Sequence, residues 1–192
     1  MRSTNHPTLA QSLWPAQSSV FSLRPAALIL LGTVALAISA KIQVPFYPVP
    51  MTMQTLLVLI IGATYGARFA TLTVALYLIE GLCGLPVFAS GGGVSYFFGP
   101  TGGFLVGFLC AAACVGYAAE RGYDRSLIAS LLVMSLGHAI IFGFGFAWLS
   151  VRFGPAEAFA VGVAPFFAAT VLKTLLAGLI VPALWRLPIR PQ

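Results

Sequence analysis

Residues 158–185 read AFAVGVAPFFAATVLKTLLAGLIVPALW, a run whose single charged residue is Lys173. A bilayer-spanning helix needs about 20 mainly apolar residues, and this run supplies them. Lys173 then sits near mid-membrane, where a translocon-type scale puts a charge at about 2.5–3.5 kcal/mol unfavourable. A charge kept at that depth ordinarily has a partner, and in a transporter the partner can be the substrate. The rest of the chain has the same character. Of 192 residues, 59% are hydrophobic and 7% charged, against about 25% charged in a soluble domain. Four acids and ten bases cannot clothe a water-facing surface, so the chain reads as an integral membrane protein, not a soluble domain with one anchor.

Five further apolar stretches complete the pattern, and helices are expected at about 23–40, 51–66, 69–86, 99–119, 126–151 and 158–185. The fold class expected is all-α integral membrane, a bundle of six transmembrane helices. Residues 1–22 form an N-terminal cytoplasmic tail, flexible or interfacial, and residues 23–192 the membrane domain. The tail has no apolar core ending at a small-residue cleavage site, so it is not a secretory signal. Six crossings put both termini on one side. That side holds Arg2, Arg24, Arg68, Arg121, Arg125, Arg186 and Arg190, while the opposite loops hold Lys41 and Arg152. The positive-inside rule makes both termini cytoplasmic. The net charge of +6 is spread one or two bases per loop without a basic cluster, so nucleic acid is not an expected partner.

The loops opposite the termini are the elaborate ones. The first, AKIQVPFYPVPMTMQT (40–55), has Pro45, Pro48 and Pro50, which favour a stiff extended path. Such a loop can cover a pocket with Phe46 and Tyr47, while Thr52 and Gln54 bring polar groups to membrane depth; an interfacial connector with an aromatic belt fits the same residues. The second, GLPVFASGGGVSYFFGPTGGF (84–104), has glycines that permit tight turns and close backbone approach to a ligand. It lacks the Lys-Ser/Thr ending of a Walker loop. If it re-enters the membrane, Ser90, Ser95 and Tyr96 are hydrogen-bonding candidates; otherwise it is a plain flexible turn. Ala35 and Ser39 on the first helix are spaced for close helix contact, either with another membrane protein or within the bundle. Ser95 and His138 do not suggest a hydrolase, because one belongs to a loop and the other to mid-helix, beyond the hydrogen-bond reach a nucleophile and its base need. Cys83, Cys110 and Cys114 read as buried small hydrophobes; Cys110 and Cys114 share a helix face, with no His or acid near in sequence to complete a metal set.

Three segments together carry a resemblance: AKIQVPFYPVPMTMQTLLVLIIG (40–62), GLPVFASGGGVSYFFGPTGGFLVGF (84–108) and APFFAATVLK (164–173). They resemble the BioY family, the biotin-binding S component of energy-coupling factor (ECF) transporters. The resemblance implies a six-helix S-component fold and high-affinity capture of biotin from outside. It implies as partners a transmembrane coupling subunit and two cytoplasmic ABC ATPases, with no ATP bound by this chain, no cofactor and no enzymatic activity. Some family members are thought to work without the ATPase module. Homo-oligomerisation is left open. The family's coupling-subunit contact is a small-residue motif on the first helix, matched by Ala35 and Ser39. The family's last motif, like PF-x-x-GD-x-x-K, is matched at Pro165, Phe166 and Lys173, but Ala169 and Thr170 replace its Gly and Asp. Thr170 can exchange a hydrogen bond but cannot neutralise Lys173. Ser90 stands where an Asn often follows PVFA. The residues expected to contact biotin are Lys173, Thr170, Ser90, Gln54, Tyr96, Tyr47 and Phe46, with Lys173 on the ureido oxygen or the carboxylate. An S component for another vitamin, or a membrane assembly protein with no small ligand, are the alternative readings.

Overall fold

A computed structural model describes residues 6–13 and 23–187. The helices are α1 (Leu9–Leu13), α2 (Leu23–Lys41), α3 (Gln54–Leu82), α4 (Val94–Phe97), α5 (Gly102–Ala119), α6 (Leu127–Phe153), α7 (Pro155–Gly162) and α8 (Phe167–Trp185). A two-stranded hairpin, β1 (Gln43–Val44) and β2 (Met51–Thr52), precedes α3. Five helical stretches among the described residues are long and apolar enough to cross a membrane: Leu23–Lys41, Gln54–Leu82, Gly102–Ala119, Leu127–Phe153 and Pro155–Trp185.

The second stretch joins two of the expected helices, and one residue explains why it is not a rod. Gly66 has φ 80° and ψ 170° inside α3, a region that is essentially closed to residues with a Cβ. In an unbroken helix, positions 54 and 77 would stand about 34 Å apart at 1.5 Å per residue. Instead Gln54 Nε2 donates to Tyr77 Oη at 2.6 Å. The chain therefore reverses at Gly66, and 54–65 and 67–82 run antiparallel. The expected loop Gly66–Ala67–Arg68 is shorter still than the sequence suggests: a single residue turns. Glu120 accepts from the freed Ala67 N–H at 2.9 Å. Gly116 on α5 lets that helix rest on the turn, since a Cβ there would stand 2.6 Å from Ala67 Cα.

α5 occupies the centre, between α3 and α6, with Ala111, Ala112, Val115 and Ala119 buried against its neighbours. Small residues suit this position. Lipid is as apolar as the bundle interior, so close packing rather than exclusion of water holds the helices together. Several hydroxyls return to their own helices, as in Thr64 to Ile60 O at 2.7 Å and Thr71 to Ala67 O at 2.6 Å, which spares those hydrogens an unpaired place in lipid. The last expected helix, 158–185, is interrupted: α7 and α8 are separated by a 3₁₀ turn at Ala164–Phe166. Pro165 has no N–H to donate and cannot continue a helical ladder.

The two ends of the bundle differ as the loop charges suggest. Lys41 and Arg152 gather with the proline- and glycine-rich loops: Lys41 Nζ donates to Phe88 O at 2.7 Å, and Arg152 donates to Phe98 O. Arg125, Glu120 and Asp124 gather at the other end. There the segment expected as a flexible or interfacial tail is docked where described. His6 N donates to Glu120 O at 2.7 Å, Arg125 donates to Pro7 O at 3.1 Å, and Thr8 and Leu9 are buried. Arg2 and Arg190 lie outside the described residues. Cys83 is exposed and Cys110 and Cys114 are half-buried, a correction to the expectation of three buried thiols. Cys83 caps the end of α3, and Cys110 and Cys114 share a partly exposed face of α5, where an apolar solvent accepts a thiol as readily as the core does.

Candidate ligand-binding site

The proline-rich loop is not an extended cover but a hairpin, with Gln43 opposite Thr52 and Val44 opposite Met51. Its prolines stand at and near the tip, where no ladder N–H is required. The hairpin brings Thr52 over α8. Lys173 is buried, and its Nζ donates to the Thr52 carbonyl at 2.7 Å. An ammonium has three donors, so two remain. Gln54, one helical step below, is held from both ends. Its Nε2 donates to Tyr77 Oη at 2.6 Å, its Oε1 accepts from Thr52 Oγ1 at 3.3 Å, and Tyr77 Oη passes a hydrogen to Val87 O at 2.9 Å. This relay joins the start of α3, its antiparallel return and the glycine-rich loop. Gln54 keeps one amide hydrogen uncommitted.

The glycine-rich loop closes the other side. Phe88 packs edge-on against Tyr77 at 5.5 Å and stacks on Tyr96 at 5.1 Å between centroids. Gly93, at φ 95°, brings its N–H within 2.6 Å of Gly81 O and so folds α4 back onto the bundle. The loop is clipped on both flanks: Lys41 Nζ and Gln43 Nε2 donate to Phe88 O and Ala89 O at 2.7 and 3.3 Å, and Trp148 Nε1 donates to Gly99 O at 2.9 Å.

Between these elements lies a cavity of about 510 Å³, counting its open mouth. Lys173, Gln54, Thr52 and Tyr96 supply its polar edge, and Phe104, Phe108, Phe142 and Phe166 its apolar wall. A few placed polar groups in an apolar concavity are the usual make-up of a small-molecule site. Among the described residues no acid faces Lys173 there. Burial pushes the Tyr96 phenol above its ordinary value, against the opposing pull of Thr101 and the Ser90 backbone, so at neutral pH it is an uncharged donor and acceptor.

The expected residues are only partly gathered. Lys173, Gln54 and Tyr96 line one cavity. Phe46 stands at its rim, 5.9 Å from the Phe166 ring. Tyr47 does not belong: it is 95% exposed at the hairpin tip. The side chain of Ser90 is exposed as well, so it bears on the cavity only through Tyr96. Thr170 lines a different groove, between α6 and α8, with His138. The small-residue pair on α2 turns largely inward, the bundle-packing alternative of the two readings. Ser39 is buried, its hydroxyl donating to Leu36 O at 2.7 Å, and Ala35 is half-buried. The outward face of α2 is Leu30, Leu31, Val34 and Ile38. The aromatic wall is what sequence reasoning missed. Phe104, Phe108 and Phe166 lay within quoted motifs without being singled out, and Phe142 carries no signal that separates it from lipid-facing phenylalanines.

Known proteins agree with this geometry. The BioY family model matches residues 11–190. The biotin transporter BioY of Thermotoga maritima is 35% identical over 164 residues, covering 82% of this chain and 93% of that protein. A probable biotin transporter BioY of Pyrococcus horikoshii is 33% identical over 154 residues, covering 80% and 91%. The crystal structure of the S-component for biotin from an ECF-type ABC transporter superposes with a TM-score of 0.77 at 23% identity, covering 89% of this chain and 95% of that one. A membrane bundle with one buried lysine in an aromatic cavity, matched along nearly all of its length, places this chain in the BioY family.

Proposed function

We infer that this chain is the biotin-binding S component of an ECF-type transporter and takes up biotin across the cytoplasmic membrane. The observation that carries the reading is the cavity in which Lys173 meets Gln54 and Tyr96 among four phenylalanines. Biotin has an apolar bicyclic body, a ureido group and a carboxylate. The phenylalanines suit the body. The two spare donors of Lys173 suit the carboxylate or the ureido oxygen, and the free hydrogen of Gln54 suits a second acceptor. With no acid facing it, Lys173 is neutralised by the anionic ligand. That places ligand charge and buried charge together, which is the arrangement that offsets desolvation of both.

The reversal at Gly66 supports a count of six crossings, since 54–65 and 67–82 then pass separately. With both termini in the cytoplasm, the hairpin and the glycine-rich loop face outside, where the vitamin is captured. The outward leucines, valine and isoleucine of α2 are the surface offered to a transmembrane coupling subunit, which two ABC ATPases would energise. The same residues support a binding subunit rather than a catalyst.

Calorimetric titration of the purified full chain with biotin, thiamine and riboflavin tests the reading. Tight binding of biotin alone is expected, and mass spectrometry of the freshly purified chain is expected to find biotin bound. Preference for either other vitamin overturns the substrate, and no binding to any of them overturns transport of a vitamin.

A further inference from the structure

Tyr77 is the largest fully buried side chain among the described residues, yet it does not line the Lys173 cavity. Its ring packs edge-on against Phe88, and phenylalanine would serve that packing equally well. The hydroxyl is different, since a buried hydroxyl is costly unless it is paired. Here it is paired twice. Oη donates to Val87 O at 2.9 Å and lies 2.6 Å from Gln54 Nε2. A carbonyl only accepts and a phenol has one hydrogen. That hydrogen is spent on Val87, so the phenol oxygen meets Gln54 as an acceptor. The network therefore fixes the sense of the Gln54 amide, nitrogen toward Tyr77 and oxygen toward Thr52. Thr52 agrees with this sense: its Oγ1 accepts from Gln54 N and gives its hydrogen to Gln54 Oε1, each at 3.3 Å. A flipped amide would set its oxygen against the lone pairs of Tyr77 Oη.

This orientation decides what the polar edge of the cavity offers. Gln54 lines that edge with one Nε2 hydrogen uncommitted, beside the Lys173 ammonium, which has donors only. Tyr96 can turn its phenol either way, but the two fixed members both present hydrogens. Such an edge takes an acceptor oxygen and refuses an N–H in its place. We propose that Tyr77 is a positioning residue that sets specificity: its hydroxyl, anchored on Val87 O, holds Gln54 as a donor, so that the cavity selects a ligand presenting an oxygen acceptor over an isostere presenting an N–H. The inference rests on the biotin reading of the cavity. Biotin carries such an oxygen at each end, in the ureido group and in the carboxylate. Tyr77 lies outside the cavity wall and acts only through Gln54. The reversal at Gly66 brings position 77 beside position 54, and the glycine-rich loop brings the Val87 carbonyl. The discrimination therefore depends on three segments distant in sequence.

The test is competition against labelled biotin on the purified full chain with two isosteres. One is iminobiotin, in which an N–H replaces the ureido oxygen; the other is the amine in which an aminomethyl group replaces the carboxylate. Wild type is expected to prefer biotin to both. In Tyr77→Phe the amide is free to turn either way. The preference over the isostere altered at the Gln54 end is then expected to shrink about fivefold or more, the order of one hydrogen bond, while the other preference holds. In a Gln54→Leu background, adding Tyr77→Phe is expected to leave both ratios unchanged, because no amide remains to be oriented. A hydroxyl that only supported the fold would weaken all three ligands alike in either background. Ratios unmoved by Tyr77→Phe, or moved equally without Gln54, overturn the inference. Should Tyr77→Phe fail to purify, Gln54→Glu decides, since it puts an acceptor where the amide N–H stood. One of the two ratios is expected to shrink there, and both at wild-type values overturn the inference. A wild-type chain that binds no biotin overturns the biotin reading first; one that binds biotin with ratios that stand still loses only the role of Tyr77.

Discussion

Lys173 is the residue on which the cavity turns. It is tied to Thr52 O and has two donors left for a ligand. Lys173→Ala is expected to weaken biotin binding at least tenfold, read by calorimetry in detergent; unchanged affinity would show that the ligand avoids the lysine. Gln54→Leu removes both the free amide hydrogen and the clamp on Tyr77. It is expected to weaken binding by about tenfold, the order of one lost hydrogen bond that leaves its partner unsatisfied, with Thr170→Val leaving the cavity affinity unchanged in the same titration. The contrast between Thr170 and Lys173 shows what spacing hides. Three residues turn a helix about 300°, so the two side chains differ by about 60° around α8. That is enough to send one into the aromatic cavity and the other into the groove beside His138.

At the scale of elements, the sharpest joint is Gly66. Its φ of 80° with ψ of 170° costs a residue with a Cβ about 1–3 kcal/mol, and the added carbon would stand 2.8 Å from Glu120 Oε1 and 2.9 Å from Thr8 Cγ2. Gly66→Ala is therefore expected to lower the melting temperature in detergent by several degrees, and a Tm equal to wild type would contradict the reversal. The hairpin and the glycine-rich loop are joined by Lys41 on Phe88 O. Lys41→Met is expected to speed biotin release by about three- to tenfold, the range for a partly solvated charge-assisted bond, measured by chase of labelled ligand. Both loops opposite the termini were legible as candidate site loops from their prolines, glycines and aromatics. Their conformation was not: the first folds as a hairpin because Gln43 and Thr52 pair, and pairing depends on a register that composition does not specify.

At the scale of the molecule, the two ends are chemically distinct, and the end away from the cavity has its own buried acid. Asp124, between the spans that end at Ala119 and begin at Leu127, accepts from Trp185 Nε1 at 2.6 Å, while Arg125 stacks over the Trp185 ring at 4.4 Å. Burial pushes the Asp124 carboxyl above its ordinary range, against the pull of Trp185, Arg125 and His6. A raised folded value means the fold prefers the protonated form. That contribution is complete below the ordinary carboxyl pKa of about 3.9 and is lost as pH rises through the higher folded value. The Tm of wild type relative to Asp124→Asn is therefore expected to fall as pH rises from about 4 through the higher folded value; a constant difference would mean that Asp124 titrates alike in both states.

Hydropathy, the spacing of charges and the three long motifs were enough, without coordinates, to reveal a membrane bundle, its busy end, its lone lysine and its family. These are statements about segments, and segments are set by the cost of charge and of unpaired backbone in lipid. Which face of each segment turns inward was decided only by the tertiary structure. In water the outside of a helix is polar and the pattern points to the core. In lipid the outside is as apolar as the core, so Phe142 and Phe108 in the wall of the cavity look, in sequence, like Phe144 facing out. Ser39 turning inward, Thr170 turning away from Lys173, and one glycine reversing a 29-residue helix all follow from how neighbouring helices fit, and no periodicity in this chain records that fit.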